Sequence, residues 1–208
     1  MNKTKLRLSL FLLLGSLALG SCSKSGGNEF TAEGTITDAA GKTLYLETTD
    51  TDEPQLIDSV TLDEKGRFRF RREAHSYPAF YRLRLGESFI PFAADSVTHL
   101  TLSASGKDLF STYKIESGDE ANKQIREIGQ LRTATDKAIE AILTQLNNGT
   151  LDRGIALARI DSLSTQLKNT LTSKYIFSDP KGAAAYYALF QSYLGGTYFS
   201  IDHPGDDR

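Results

Sequence analysis

The fold is decided by residues 30–48, which read FTAEGTITDAAGKTLYLET. Apolar and polar residues alternate over the first eight positions, as they do in a strand that buries one face. The next four residues, Asp38 to Gly41, favour a turn, and a second alternating run follows at 43–48. This stretch therefore predicts two consecutive strands of an antiparallel sheet.

The same period of two continues to about residue 115. Pro78 and Pro91 fit best at strand starts or edges, because proline cannot donate to the sheet. The clearest hairpin is predicted around the turn 63–66, with Phe68 and Phe70 facing inward. Further strands are predicted at 56–62, 67–72, 80–85, 89–92, 97–103 and 112–115. Residues 30–118 are thus predicted to form a β-rich domain, an antiparallel β-sandwich or barrel-like unit.

Past Gly118 the apolar spacing changes to that of helices. One stripe ends at Asn147-Asn148-Gly149, where glycine favours a left-handed cap. A second helix carries Leu167, Leu171 and Tyr175, and a third is expected to begin at Asp179-Pro180 and to stop at Gly195-Gly196. Residues 119–196 are therefore predicted as an antiparallel helical hairpin plus a third helix, and 197–208 as a flexible tail. The predicted fold class is α+β.

The N-terminus has the pattern of a signal peptide over residues 1–21. Three basic residues precede the apolar run 8–19, which is shorter than the roughly 20 residues that a spanning helix needs. Leu19-Gly20-Ser21-Cys22 resembles the lipobox of bacterial lipoproteins, and the single Cys of the chain stands where the lipid is attached. We expect residues 22–29 to form a lipidated tether that attaches the protein to the membrane. The alternative is a secreted protein with a chance Cys.

Composition excludes several classes of function. The chain has 208 residues with 24 basic and 26 acidic side chains, so it lacks the basic excess that nucleic-acid binding requires. One Cys and three His rule out a disulfide framework, a Cys-x-x-Cys redox pair and a Cys/His zinc site. A G-x-S-x-G elbow is also missing from the sequence. We therefore expect no catalytic residues, no metal and no cofactor, hence a protein that is not an enzyme.

Several short motifs occur in a fixed order between residues 30 and 122. The chain resembles the N-terminal domain of unknown function 4369 of TlpA-like thiol:disulfide interchange lipoproteins. The matching positions are Phe30 with Gly34 and Ile36, 42–46, 57–60, 63–70, Pro78 with Tyr81, and 116–118 followed by Asn122.

In such lipoproteins a thioredoxin domain with a Cys-x-x-Cys pair comes after the helices. The dozen or so residues after Leu194 are far fewer than the roughly 100 that a thioredoxin domain needs. The resemblance therefore implies the accessory, non-catalytic half, acting in docking, spacing or dimerisation. It also implies a location in the cell envelope, and we expect the periplasmic face of the outer membrane.

Two groups of side chains are candidates for binding. The first group consists of arginines that share a face of a predicted strand: Arg67, Arg69 and Arg71 on one strand, and Arg82 and Arg84 on another. An arginine side chain can bind a carboxylate or a phosphate in a bidentate manner. These arginines suggest an alternative function, the binding of an anionic glycan or peptide. The other interpretation, which we favour, is a solvated face that Glu33, Glu47, Glu73 and Glu87 neutralise.

The second group is aromatic. Tyr186, Phe190 and Tyr193 fall on one side of the predicted third helix. Two interpretations remain open: a place in the core, or contact with a partner, either a second copy in a homodimer or a separate thioredoxin-like protein.

Lipidation gives the first testable prediction. Cells that express the chain should incorporate labelled palmitate into it, and the Cys22→Ala variant should lose the label because no other thiol is available. Gel fluorography of the purified protein measures the label. An unlabelled wild-type protein, or equal labelling of both, would contradict the anchor.

Overall fold

Eight strands form two four-stranded sheets that pack face to face. The computed structural model describes residues 28–49, 53–117, 120–193, 196–197 and 199. The predictions for the signal peptide, Cys22 and most of the tether and tail lie outside these residues. The strands are β1 (Glu29–Thr37), β2 (Thr43–Thr48), β3 (Gln55–Thr61), β4 (Arg67–Glu73), β5 (Ala79–Leu85), β6 (Ser88–Ala94), β7 (His99–Ser105) and β8 (Lys114–Ile115).

One sheet has the strand order β4-β1-β7-β8 and the other β3-β2-β5-β6. All neighbours are antiparallel except β1 and β7, which run parallel with Thr31 opposite His99. The alternating apolar residues of both sheets form one core, in which Phe30 of β1 lies 4.8 Å from Tyr81 of β5 between ring centroids. The α+β class and the sandwich are confirmed, and the described strands do not close into a barrel.

The predicted hairpin at 56–72 is wrong, because β3 and β4 belong to different sheets. The turn itself forms: Asp63 Oδ1 accepts hydrogen bonds from the backbone N–H groups of Lys65 (2.9 Å) and Arg67 (2.8 Å). Gly66 has φ 73°, and its carbonyl accepts a bond from the N–H of Ile36 at 2.8 Å. The turn is thus held by β1 and carries the chain from the sheet that contains β3 to the sheet that contains β4. Alternation shows which residues face inward, but it does not identify the neighbouring strand.

Helices follow the sandwich, as predicted. They are α2 (Glu120–Asn147), α3 (Arg153–Leu171), which continues into a π-helical turn (Thr172–Ile176), and α4 (Ala183–Leu189), while a short α1 (Leu109–Thr112) precedes β8. Gly149 ends α2 with φ 69°, which confirms the left-handed cap. The last predicted strand, 112–115, is only two residues long because α1 occupies its start. None of the helices in the described ranges is long and apolar enough to cross a bilayer.

The third helix is shorter than predicted. It begins at Ala183, after a turn in which the Gly182 N–H donates to the Asp179 carbonyl, and it ends before Phe190. A two-stranded ribbon of β9 (Ser192–Tyr193) and β10 (Gly196–Thr197) follows. Tyr193 therefore pairs in this ribbon, whose hydrogen bonds replace those of a longer helix.

Asn122 joins the helices to the sandwich. Its side chain is buried, its Nδ2 donates to the Ala93 carbonyl at 2.8 Å, and its Oδ1 accepts from the Ala93 N–H at 2.8 Å. Ala93 lies on β6, the edge strand of its sheet, so these backbone groups face away from β5. The amide thus replaces one residue of a neighbouring strand and satisfies both groups. Around this contact Ala93, Ile125, Ile128, Leu171 and Tyr175 form a second core.

We expect Asn122→Ala to lower the free energy of unfolding by about 2–4 kcal/mol, because each buried backbone group that loses its partner costs about 1–3 kcal/mol. Urea unfolding followed by circular dichroism measures the change. The control is Asn169→Ala at an exposed position of α3, which should have little effect. Equal stability of the two variants would contradict the role of the Asn122 amide.

Candidate functional site

The arginines of β4 are bound by carboxylates of neighbouring segments. Arg67 contacts Asp63 at 2.7 Å, Arg69 contacts Glu33 at 3.3 Å and Arg71 contacts Glu29 at 2.5 Å. Arg72 pairs with Asp58 of β3. The β4 pairs are largely exposed, so each adds little to stability. The pairs of Arg67, Arg69 and Arg71 balance the charges on the outer face of this sheet.

Arg82 and Arg84 lie on the other sheet, where both bind Glu47 of β2. The Nε atom of Arg82 donates to Glu47 Oε2 at 2.5 Å, and that of Arg84 donates to Oε1 at 2.7 Å. The Arg84 guanidinium lies 4.5 Å from the centroid of the Tyr45 ring, and that of Arg82 lies 5.1 Å from the Phe89 ring. We call these five residues the Glu47 cluster. It covers the carboxylate so well that Glu47 is only 5% exposed.

The Glu47 cluster keeps its carboxyl group ionised. Burial raises the pKa of Glu47, but hydrogen bonds from Arg84 and Arg82 and their positive charges outweigh it and hold the pKa below its usual value. The hydrogen bond to Glu47 likewise raises the pKa of Arg84. Both arginines are thus paired with a carboxylate of the domain itself.

The structure does not bring the five candidate arginines together on one surface, because β4 and β5 belong to different sheets. Of the expected carboxylates, Glu33 and Glu47 bind arginines. Glu29 and Asp63 also bind arginines, although neither was predicted as a partner. Asp63 stands four residues before Arg67, a spacing that indicates a local pair, whereas Glu29 is identified only by the register of β1 and β4.

Two of the three predicted aromatic residues, Tyr186 of α4 and Phe190 directly after it, are exposed at one side of the helical layer. The opposite side of α4 is buried through Ala184, Ala185 and Ala188. Phe190 is 64% exposed, and its ring centroid lies 4.7 Å from that of Tyr186, which stacks in turn on Phe80 of β5 at 5.5 Å. Phe89, Tyr186, Leu189 and Phe190 are the exposed apolar residues here, and we call them the aromatic patch. The side chain of Tyr193 lies outside the described residues.

A cleft opens beside the aromatic patch, between β6, α2 and the segment after α4. Phe89, Phe190, Glu87 and Arg132 line it together with Tyr187 and Gln191. Arg132 donates to Asp136 Oδ2 at 3.0 Å, and Gln191 Nε2 donates to the Tyr187 carbonyl at 2.8 Å. The cleft thus places apolar rings next to one acidic and one basic side chain.

The described histidines have local contacts. His99 Nδ1 lies 2.8 Å from Thr31 Oγ1, and the His75 ring stacks on Tyr77. Within the part of the chain that the structure describes, no three His, Cys, Asp or Glu side chains converge in a way that could hold a metal ion.

The fold and its balanced sheet faces define a β-sandwich domain that carries a helical layer. Residues 30–124 match the model of a family described as Domain of unknown function (DUF4369). This segment includes both sheets and Asn122, and the match confirms the resemblance to domain of unknown function 4369 for these residues. No curated protein shows significant similarity to the chain.

The Glu47 cluster gives a prediction for stability. Glu47→Gln should lower the free energy of unfolding by about 2–4 kcal/mol at neutral pH, because it leaves two half-buried arginines without their counter-charge. Because the folded-state pKa of Glu47 is depressed, its contribution is present above the unfolded pKa of about 4.3 and disappears as pH falls through the folded pKa.

Urea unfolding at a series of pH values measures both effects. The difference between the wild type and Glu47→Gln should narrow below pH ~4 as Glu47 becomes protonated. Glu33→Gln, which breaks an exposed pair with Arg69, is the control and should change little. A difference that stays constant down to acid pH would show that the charge of Glu47 is not what stabilises the cluster.

Proposed function

We propose that the protein is a non-catalytic lipoprotein of the cell envelope, an accessory module that docks to a protein partner. The Leu19-Gly20-Ser21-Cys22 motif supports attachment by lipids on Cys22. The expected site of attachment is the periplasmic face of the outer membrane. The relation to thioredoxin-like disulfide interchange lipoproteins rests on the motif order from Phe30 to Asn122. With one Cys, residues 1–208 contain no pair for dithiol exchange, so we propose no redox activity for them.

The aromatic patch is the observation that carries the docking role. A patch of this kind on a soluble surface usually marks an interface, and aromatic rings are enriched at interface centres. The Tyr186 ring stacks on Phe80 and contacts the Phe190 ring at a tilt, so these rings already restrain one another within the single chain. A partner that covers them therefore loses little side-chain entropy on binding.

A second copy of the chain is the partner that the charges favour. Glu87 and Arg132 flank the same cleft as Phe89 and Phe190. In a twofold interface, a contact between two different residues is formed twice, once in each direction across the axis. Glu87 of one copy can therefore face Arg132 of the other, and Arg132 of the first can face Glu87 of the second. Arg132 has five donors, and its pair with Asp136 leaves donors free for a second carboxylate. A dimer of anchored chains could also act as a spacer that sets the distance between the membrane and a further bound protein.

Two other roles compete with this one. A thioredoxin-like protein that binds the aromatic patch would need no self-association of the chain. An anionic glycan or peptide on the arginines would have to compete with Glu29, Glu33, Glu47 and Asp63, which already bind them. We therefore rank the aromatic patch above the arginine faces.

Self-association is tested with the chain from residue 23 onward, which keeps every residue that the structure describes. Multi-angle light scattering should give a mass that rises with concentration to that of a dimer, and Phe190→Ser should shift the equilibrium toward monomer. The matched control is Phe177→Ser, since Phe177 is 65% exposed but lies outside the aromatic patch. A wild-type protein that stays monomeric, or one that Phe177→Ser weakens equally, would contradict this interface.

A further inference from the structure

A second set of exposed apolar side chains lies at one end of the sandwich. Leu56 is 60% exposed, Tyr77 60% and Val97 72%. They come from three separate segments of the chain, the start of β3, the β4–β5 connection and the β6–β7 connection. Because unrelated segments bring them together, their exposure is a property of this end of the domain.

The backbone ties these segments to the start of β1. The Ala74 N–H donates to the Asn28 carbonyl at 2.8 Å, and the Thr31 N–H donates to the Thr98 carbonyl at 3.0 Å. The Ser96 N–H donates to the His75 carbonyl at 2.8 Å and joins the two connections to each other. The pairing of Thr48 with both Gln55 and Tyr81 places the start of β3 at the same end. We call it the tether end.

The tether end is also the end at which the described residues begin, at Asn28. From Cys22 to Asn28 the chain makes six residue steps, which span at most about 20 Å even when fully extended. A lipid on Cys22 would therefore hold Asn28 within that distance of the bilayer surface. The turn around Lys65 lies at the opposite end of the sandwich, one strand length of about 25 Å further away.

We propose that the tether end rests on the membrane and inserts Leu56, Tyr77 and Val97 among the lipid head groups. This inference rests on the proposed anchor at Cys22. A tyrosine ring has an apolar body and a polar tip, which suits the membrane–water interface. The Tyr77 ring stacks on His75 with centroids 4.8 Å apart and planes 1° from parallel, so the two rings form one flat plate.

The attraction is apolar and not ionic. The arginines nearest this end, Arg71 and Arg72, are bound by Glu29 and Asp58. A bilayer of zwitterionic lipid is therefore sufficient, and added salt should not release the tether end, because screening acts on charges and not on apolar contacts.

The chain contains no Trp and one Cys, so both a probe and an attachment point can be placed uniquely. The chain from Cys22 onward is coupled through that thiol to maleimide-lipid in phosphatidylcholine vesicles with brominated acyl chains. Three variants each carry one tryptophan: Val97→Trp, Tyr77→Trp and, as the control, Lys65→Trp in the exposed turn at the opposite end. Emission from V97W and Y77W should be quenched and shifted to the blue, in low and high salt alike, whereas K65W should be unaffected.

Equal emission from all three variants would overturn the proposal. A blue shift of V97W without quenching by the brominated lipid would indicate protein contact and would also overturn it, as would loss of quenching in high salt. The coupling supplies the anchor whether or not cells acylate Cys22, so the outcome is separate from that of palmitate labelling. It is also separate from light scattering, which reports on the aromatic patch.

Discussion

The arrangement of the protein depends on the two hydrogen bonds between Asn122 and Ala93. An edge strand presents backbone groups that need partners, and burying them under a helix would be costly without a side chain that both donates and accepts. An amide meets both needs at once. It fixes the start of α2 on β6, and α2 then carries α3 and α4, on which the aromatic patch is built. Because the family match reaches residue 124, this contact belongs to the domain itself.

On both sheets, arginine side chains are paired with carboxylates of the same chain. Glu47 is buried under two arginines, and the outward arginines of β4 each meet a carboxylate. The exposed apolar side chains of the described residues include two groups, the tether end and the aromatic patch. The tether end is formed by connections near the start of β1, and the aromatic patch is formed by α4, Phe89 and Phe190. The proposed membrane contact and the proposed partner contact thus use different residues.

Much of the local structure could be predicted. The strand 30–36 buries Phe30, Ala32 and Ile36 as its alternation indicates, and Gly149 caps α2. The hairpin at 56–72 was wrong even though its turn was right, because the hydrogen bonds of Asp63 are local but the contact of Gly66 with Ile36 is not. The third helix was predicted to be too long for a similar reason. The apolar spacing continues past Leu189, but from Ser192 onward the backbone forms hydrogen bonds in the two-stranded ribbon and not in a helix. Of the candidate site, the pair of Glu47 with two arginines needed the register of β2 and β5.

The sequence by itself determined which strand residues face inward and where the turn at 63–66 and the cap at Gly149 lie. These properties depend on side-chain spacing and on backbone preferences within a few residues. Only the tertiary structure decided which strands pair, that the arginines are divided between two sheets, and that Leu56, Tyr77 and Val97 meet at one end. Strand pairing joins residues that are far apart in the chain. Several strands have the same alternation of apolar and polar residues, so each strand has more than one nearly equivalent pairing partner. The choice among them is therefore made by packing of the whole core, which no short stretch of sequence contains.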